Sequence, residues 1–163
     1  MKKVLSALLV TALVVPVTLM GQAPEGGDAL KDFSRELKMN GVTLNIVLLN
    51  DKTVEVLFQA PSKYSMAARA RQTTMLYVQG TPDKDIDFTT AFNIQQGSET
   101  LPGTPHNVKN FENAKVAKGT RIDGIVEFAK KVDISKPFKV ANGRESVEFK
   151  LDGDLVKSLG TQD

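Results

Sequence analysis

Cysteine and tryptophan are absent from this chain of 163 residues, and His106 is its single histidine. The lack of cysteine excludes disulfide bonds, thiol nucleophiles and thiolate metal sites, so stability has to come from a hydrophobic core. The sequence also contains no G-x-S-x-G, no H-E-x-x-H and no glycine-rich phosphate loop. These absences predict a protein that is not an enzyme and uses no cofactor or metal.

An excess of positive charge is also absent once the N-terminus is set aside. Lys2 and Lys3 precede an uncharged, mostly apolar run over 4–20, and this pattern predicts a signal peptide over 1–21. Without those lysines, 19 of the 21 basic residues remain and balance 19 acidic residues. A neutral mature chain gives no electrostatic basis for binding nucleic acid. The 17 uncharged residues leave an uncleaved membrane anchor open as the alternative, and only this segment would then contact a membrane.

Beyond the leader, residues 22–27 are predicted to be a spacer, 28–152 a single domain and 153–163 a frayed tail. The main signal within the domain is an alternation with period two, clearest over 86–94, where Ile86, Phe88, Phe92 and Ile94 share one face. Such alternation is typical of half-buried strands. Further strands are predicted over 42–49, 54–58, 73–78, 121–128 and 147–151.

The dipeptide Asn40-Gly41 predicts a two-residue hairpin turn, with Met39 opposite Val42 and Leu37 opposite Leu44. A helix over 28–38 is the alternative, because apolar residues also recur there at helical spacing. Residues 61–72 predict a short helix or a crossover, and 99–113 a long polar loop.

Seven or eight short strands separated by turn signals predict an all-β fold, an immunoglobulin-like antiparallel β-sandwich. The segments TTMLYVQGTPDKDIDFTTAFNIQQGSETLPG and FENAKVAKGTRIDGIVEF carry a resemblance. They resemble exported bacterial immunoglobulin-like (telokin-like) domains, in which a turn and a G-x-V-x-F strand recur late in the domain. Gly119, Gly124, Val126 and Phe128 are the matching positions. The resemblance implies a β-sandwich outside the cytoplasm and implies no catalytic residue.

Three groups of residues are candidates for chemical sites. Asp83, Asp85 and Asp87 form D-x-D-x-D, but Phe88 and Ile94 stand where an EF-hand loop needs Gly and Glu. A solvated turn is therefore favoured, and calcium binding stays open. His106 lies in the predicted loop, where a lone histidine is expected to be solvated. Two outward carboxylates, Glu127 and Glu148, would suit glycoside hydrolysis if their strands were neighbours, although no tryptophan platform accompanies them.

A binding surface is the remaining prediction. Lys63 and two arginines form a basic cluster around a tyrosine. The two aromatic residues in irregular segments are the best candidates for exposed aromatic side chains, and the alternative is that they plug the ends of the sandwich. The candidate surface comprises Tyr64, Arg69, Arg71, His106 and Phe111.

The function predicted from these observations is an exported, non-enzymatic module that binds a protein or cell-envelope component in the periplasm or at the cell surface. A small-ligand carrier built as a β-barrel is the alternative. An internal cavity lined by Phe88, Phe92 and Phe128 would favour the carrier, and a filled core would favour the module.

Overall fold

The computed structural model describes residues 27–106 and 111–160. The predicted leader 1–21, all of the spacer but Gly27, and residues 161–163 lie outside this part. Within it are four helices and ten strands: α1 Gly27–Asp32, β1 Ser34–Met39, β2 Val42–Leu48, α2 Asp51–Leu57, α3 Ser62–Gln72, β3 Thr74–Gly80, β4 Ile86–Phe88, β5 Phe92–Gln96, β6 Glu99–His106, β7 Ala114–Val116, β8 Ile122–Phe128, β9 Phe138–Asn142, β10 Glu145–Phe149 and α4 Gly153–Gly160.

Eight strands form one antiparallel sheet in the order β1-β2-β3-β8-β6-β5-β9-β10, and β4 pairs with β7 separately. Strand β6 joins two halves of this sheet, one formed by β1, β2, β3 and β8 and the other by β5, β9 and β10. Its residues 99–102 pair with β5, and its residues 103–106 pair with β8. The two ends of the order approach each other, because Arg35 on β1 donates to the Lys150 carbonyl at 2.9 Å, just after β10. The sheet is nearly closed and barrel-like. The prediction of an all-β fold is confirmed in its coarser part, since the described chain is mostly β and its sheets are antiparallel, but it also contains four helices.

The predicted hairpin is confirmed in its register. Met39 faces Val42 and Leu37 faces Leu44, and Gly41 takes the positive φ of +90° that a tight turn of this kind requires. Of the alternative helix over 28–38, only the first residues are helical, in α1. A register that buries apolar side chains of both strands together outweighs the local helical spacing.

The core fills the space between the two halves of the sheet. Phe88, Phe92 and Phe128 are buried, as is Ile94, and Ile86 packs against them from the edge. The shared apolar face of 86–94 is thereby confirmed, although the segment forms two strands, β4 and β5, which lie in different sheets. The strand conformation is interrupted at 89–91, where the chain passes from one sheet to the other.

Residues 54–58, predicted as a strand, belong largely to helix α2. Asn50 caps this helix, because its Oδ1 accepts hydrogen bonds from the backbone N–H groups of Lys52 (2.9 Å) and Thr53 (3.1 Å). The Thr53 hydroxyl accepts from the Asn50 N–H in return. This capping box satisfies N–H groups that the first helical turn leaves without partners, and it overrides the β propensity of the valines.

The predicted loop 99–113 was wrong over its first half, which forms strand β6. Pro102 lies opposite Asn93 and Pro105 opposite Val126. Each half of β6 is paired along one side only, so a proline, which has no N–H to donate, is tolerated there. Residues 107–110 lie outside the described part.

The predicted frayed tail was also wrong, since 153–160 form α4. Leu155 and Leu159 of this helix pack against the core, and the Asp152 side chain accepts a hydrogen bond from the Asp154 N–H at 2.9 Å. In the described part of the chain, no helix is long and apolar enough to cross a membrane.

Candidate functional site on helix α3

A helical layer covers the outer face of the sheet at β3 and β8. Side chains alternate along these strands, so Met75 and Ile125 point outward while their neighbours Leu76 and Val126 enter the main core. The outward side chains pack with residues of α2 and α3, including Val54 and the buried Ala70. This second apolar cluster fixes α3 against the sheet.

A polar cluster centred on Glu127 joins α3 to two strands. The Glu127 Oε2 accepts a short hydrogen bond from Arg69 Nη2 and lies 2.9 Å from His106 Nε2. Its Oε1 accepts from the Thr73 hydroxyl at 2.7 Å. His106 reaches this position because it pairs with Ile125, which places it diagonally beside Glu127 on the same face of the sheet.

The His106 imidazole lies between a group that only donates and a group that only accepts. Its Nε2 is 2.9 Å from Arg69 Nη2 as well as 2.9 Å from the Glu127 carboxylate. Nε2 accepts from Arg69 when it carries no proton and donates to Glu127 when it carries one. The cluster therefore holds α3, β6 and β8 together in either state, and His106 is half-buried in it rather than solvated in a loop.

The environment of Glu127 favours its charged form. Burial by itself raises the pKa of this carboxyl, but hydrogen bonds from Thr73, Arg69 and His106 and the charge of Arg69 outweigh burial. The net effect holds the pKa of Glu127 below its ordinary value of 4.5. The ionised carboxylate thus stabilises the folded state at neutral pH.

Replacement of Glu127 by glutamine is expected to lower stability at pH 7 by about 1 kcal/mol. Because the folded-state pKa is depressed, the stabilisation is present above the unfolded value of 4.5 and is lost as the pH falls through the folded value. Chemical unfolding of the wild type and Glu127→Gln between about pH 7 and 3 should therefore show their difference shrinking with acid. Glu148→Gln, on the exposed face of β10, serves as the control. A difference that stays constant with pH would contradict the role given to the ionised carboxylate.

The predicted basic cluster is present on α3, but each cation has an acidic partner. Lys63 Nζ lies 2.6 Å from a Glu55 oxygen, and Arg71 Nε donates to both Asp51 oxygens, at 3.1 and 3.0 Å. With Arg69 paired to Glu127, the surface carries little net charge. Tyr64 stands out instead, with 67% of its surface exposed.

Four of the five predicted surface residues are brought together. Tyr64, Arg69 and Arg71 lie on α3, and His106 lies beside α3 through its contact with Arg69. Phe111 does not belong to this surface, because its side chain is 1% exposed, which agrees with the alternative that it plugs the core. Its ring occupies the space left by the missing side chain of Gly124, which is the close approach expected of a glycine on an inner strand face.

The structure does not bring together the residues of two further sites predicted from the sequence, the carboxylate pair and the aspartate group. Glu127 and Glu148 are not a pair, since β8 lies between β3 and β6 while β10 pairs with β9. Asp83, Asp85 and Asp87 are all exposed, and Asp85 accepts a hydrogen bond from the Lys118 N–H at 2.9 Å. Residues 27–106 and 111–160 contain no group of three or more His, Cys, Asp or Glu side chains placed to hold a metal ion.

A cleft between α3 and α4 was not predicted from the sequence. It has a volume of about 260 Å³, and Asp51, Arg71 and Lys131 stand among its lining residues. Its apolar wall consists of Leu48, Leu49, Ala70, Ile134, Val156 and Leu159. The signal that could have revealed it is the spacing of Leu155, Val156 and Leu159, which gives 153–160 an apolar helical face.

The fold and the site together define a nearly closed antiparallel β-domain with a helical layer on its outer surface. No protein-family model matches the chain, no curated protein matches it, and no solved structure matches it. The functional inference accordingly starts from the residues of α3 and its surroundings.

Proposed function

We propose that this protein is an exported, non-enzymatic module that binds a protein or cell-envelope component in the periplasm or at the cell surface. The observation that carries the proposal is Tyr64, which is the one exposed large hydrophobic side chain in the described part of the chain. It stands on a helix that is fixed to the sheet by both an apolar cluster and the Glu127 hydrogen bonds. Rigidly held aromatic side chains are typical anchors of protein interfaces.

The charges around Tyr64 support recognition by packing rather than by electrostatic attraction. Lys63 Nζ lies 5.6 Å from the centre of the tyrosine ring and is paired with Glu55. An exposed ion pair of this kind contributes little to stability, and it leaves no unpaired charge beside the ring. A partner would therefore bury the ring and leave the surrounding ion pairs at the rim of the interface.

The filled interior favours a surface-binding module over the alternative of a small-ligand carrier. The rings of Phe88 and Phe92 lie 5.7 and 6.3 Å from that of Phe111, and Phe128 is fully buried. Phe111 also occupies the volume beside Gly124. The aromatic side chains that would have lined a carrier's cavity thus pack against one another.

The relation to exported immunoglobulin-like domains is part of the same proposal. It is supported by antiparallel strands arranged in two halves around one core and by the inward position of Gly124 in β8. In such a sandwich the strand that passes between the halves would be β6. Two features differ from that fold as it was expected. The eight strands are hydrogen-bonded in one continuous sheet, and the helices α2 and α3 are added to the strands.

The proposal is tested by affinity capture from solubilised cell envelope with the wild type, Tyr64→Ala and Lys139→Ala. Lys139 is an exposed residue of β9, away from α3, and its variant is the matched control. We expect a component that the wild type and the control retain and that Tyr64→Ala loses, with at least a tenfold weaker dissociation constant for the purified pair. Equal retention by all three proteins would overturn the placement of the interface. Catalytic turnover that one substitution abolishes would overturn the non-enzymatic assignment.

A further inference from the structure

We infer that the cleft between α3 and α4 is a second binding site, which takes a small organic anion with an apolar body, of the class of a medium-chain carboxylate. Tyr64 does not line this cleft, so the inference is independent of the interface proposed above. It rests on the composition of the wall, the charges at the rim and the volume.

Most of the lining is apolar and comes from fixed elements; its uncharged polar residues are Asn50, Thr73 and Thr74. Leu48 is the last residue of β2 and Leu49 follows it, and Ala70 comes from the buried side of α3. Val156 and Leu159 belong to α4, which is attached to the core through Leu155 and Leu159. Contact with such a wall favours a ligand with an apolar body, because burial of apolar area contributes about 25 cal/mol per Å².

The charges at the cleft favour an anion. Arg71 and Lys131 line it together with one carboxylate, Asp51. Asp51 is bound by the Nε of Arg71, and Lys131 Nζ donates to the Arg71 carbonyl at 3.1 Å. Among residues 27–106 and 111–160, Lys131 has no carboxylate partner within ion-pair distance. One positive charge is therefore left for a ligand, and the terminal NH₂ groups of Arg71 add donors suited to a carboxylate.

The volume limits the ligand to a small molecule. A cleft of about 260 Å³ is slightly smaller than the range of roughly 300–1,000 Å³ typical of sites for drug-sized molecules. One medium-length acyl chain meets this limit, with its carboxylate beside Lys131 and its chain against Val156 and Leu159. A second chain or a bulky headgroup would exceed the limit.

Calorimetric titration with decanoate, decanol and decyltrimethylammonium tests the inference, with the two ions kept below their micelle-forming concentrations and decanol below its solubility limit. These probes share one chain length and differ in charge. We expect decanoate to bind one molecule per protein, decanol to bind at least fivefold more weakly, and the cation to bind weakest. Equal affinity for all three, or binding of several molecules with no saturation at one, would overturn the inference.

Two variants place the ligand in the cleft. Lys131→Gln should weaken decanoate binding about fivefold and leave decanol binding unchanged, whereas the control Lys139→Gln should change neither. Val156→Phe, which fills the cleft, should abolish binding of both probes. Lys131 is exposed, so its variant is expected to fold even if the larger ring at 156 is not tolerated. Unchanged decanoate affinity in Lys131→Gln would contradict the site.

Discussion

Replacement of Phe111 by alanine is expected to destabilise the protein by about 3–5 kcal/mol, the usual cost of removing a buried phenylalanine ring. The Phe111 ring is 1% exposed and packs against those of Phe88 and Phe92, with centroid distances of 5.7 and 6.3 Å. Its removal leaves a cavity that the strand backbones around it cannot collapse to fill. Urea unfolding followed by far-ultraviolet circular dichroism measures the loss as a lower midpoint.

Tyr64→Ala is the matched aromatic control. Because 67% of the surface of Tyr64 is exposed, the substitution should change the free energy of unfolding by no more than about 0.5 kcal/mol. The two variants test a difference that only the structure shows, because the sequence left both aromatic residues open between an exposed surface and a core plug. If the two variants were destabilised equally, the burial of Phe111 against β8 would be incorrect.

Gly124→Ala is expected to cost about 3 kcal/mol, at the upper end of what overpacking of a core usually costs. A Cβ atom at this position would lie 2.0 Å from Cγ of Phe111 and 2.3 and 2.4 Å from its Cδ atoms. Such distances require the ring to move, and Phe88 and Phe92 block its displacement. Thermal unfolding of the variant should show a lower midpoint together with the loss of near-ultraviolet signals that report aromatic packing.

A second glycine and a double variant distinguish crowding from a general effect of losing glycine. No atom lies within 4 Å of a Cβ built at Gly153, so Gly153→Ala should be neutral or slightly stabilising. Combining Gly124→Ala with Phe111→Leu should cost less than the sum of the single changes, because the smaller side chain makes room for the methyl group. Additive costs would show that the two positions do not compete for one space.

Local signals in the sequence were sufficient where a turn and an alternating pattern agreed. Asn40-Gly41 set the register of the first hairpin, and residues 61–72 formed a helix as one of their two predicted alternatives. The burial of Phe88, Phe92 and Ile94 also followed from alternation alone. In each case the determining interactions lie between near neighbours in the chain, so they can be recognised without knowledge of the fold.

The errors occurred where distant residues determine the conformation. Strand β6 contains two prolines and few large apolar residues, and its extended form depends on hydrogen bonds to β5 and β8. Helix α4 is short, and its apolar face is buried only because the rest of the domain provides a surface for it. His106 was assigned to a loop because its partners, Arg69 and Glu127, are 37 and 21 residues away in the chain.

By itself the sequence determined the predominance of strands, the register of the first hairpin and the absence of thiol chemistry, whereas it left 61–72 open between a short helix and a crossover. Alternation, turn residues and composition are local properties, and they act over a few residues. Only the tertiary structure decided that the sheet nearly closes, that Phe111 is buried against Gly124, and that α3 and α4 enclose a cleft. Those outcomes depend on which distant surfaces meet, and shape complementarity between distant surfaces leaves no periodic pattern in a single chain.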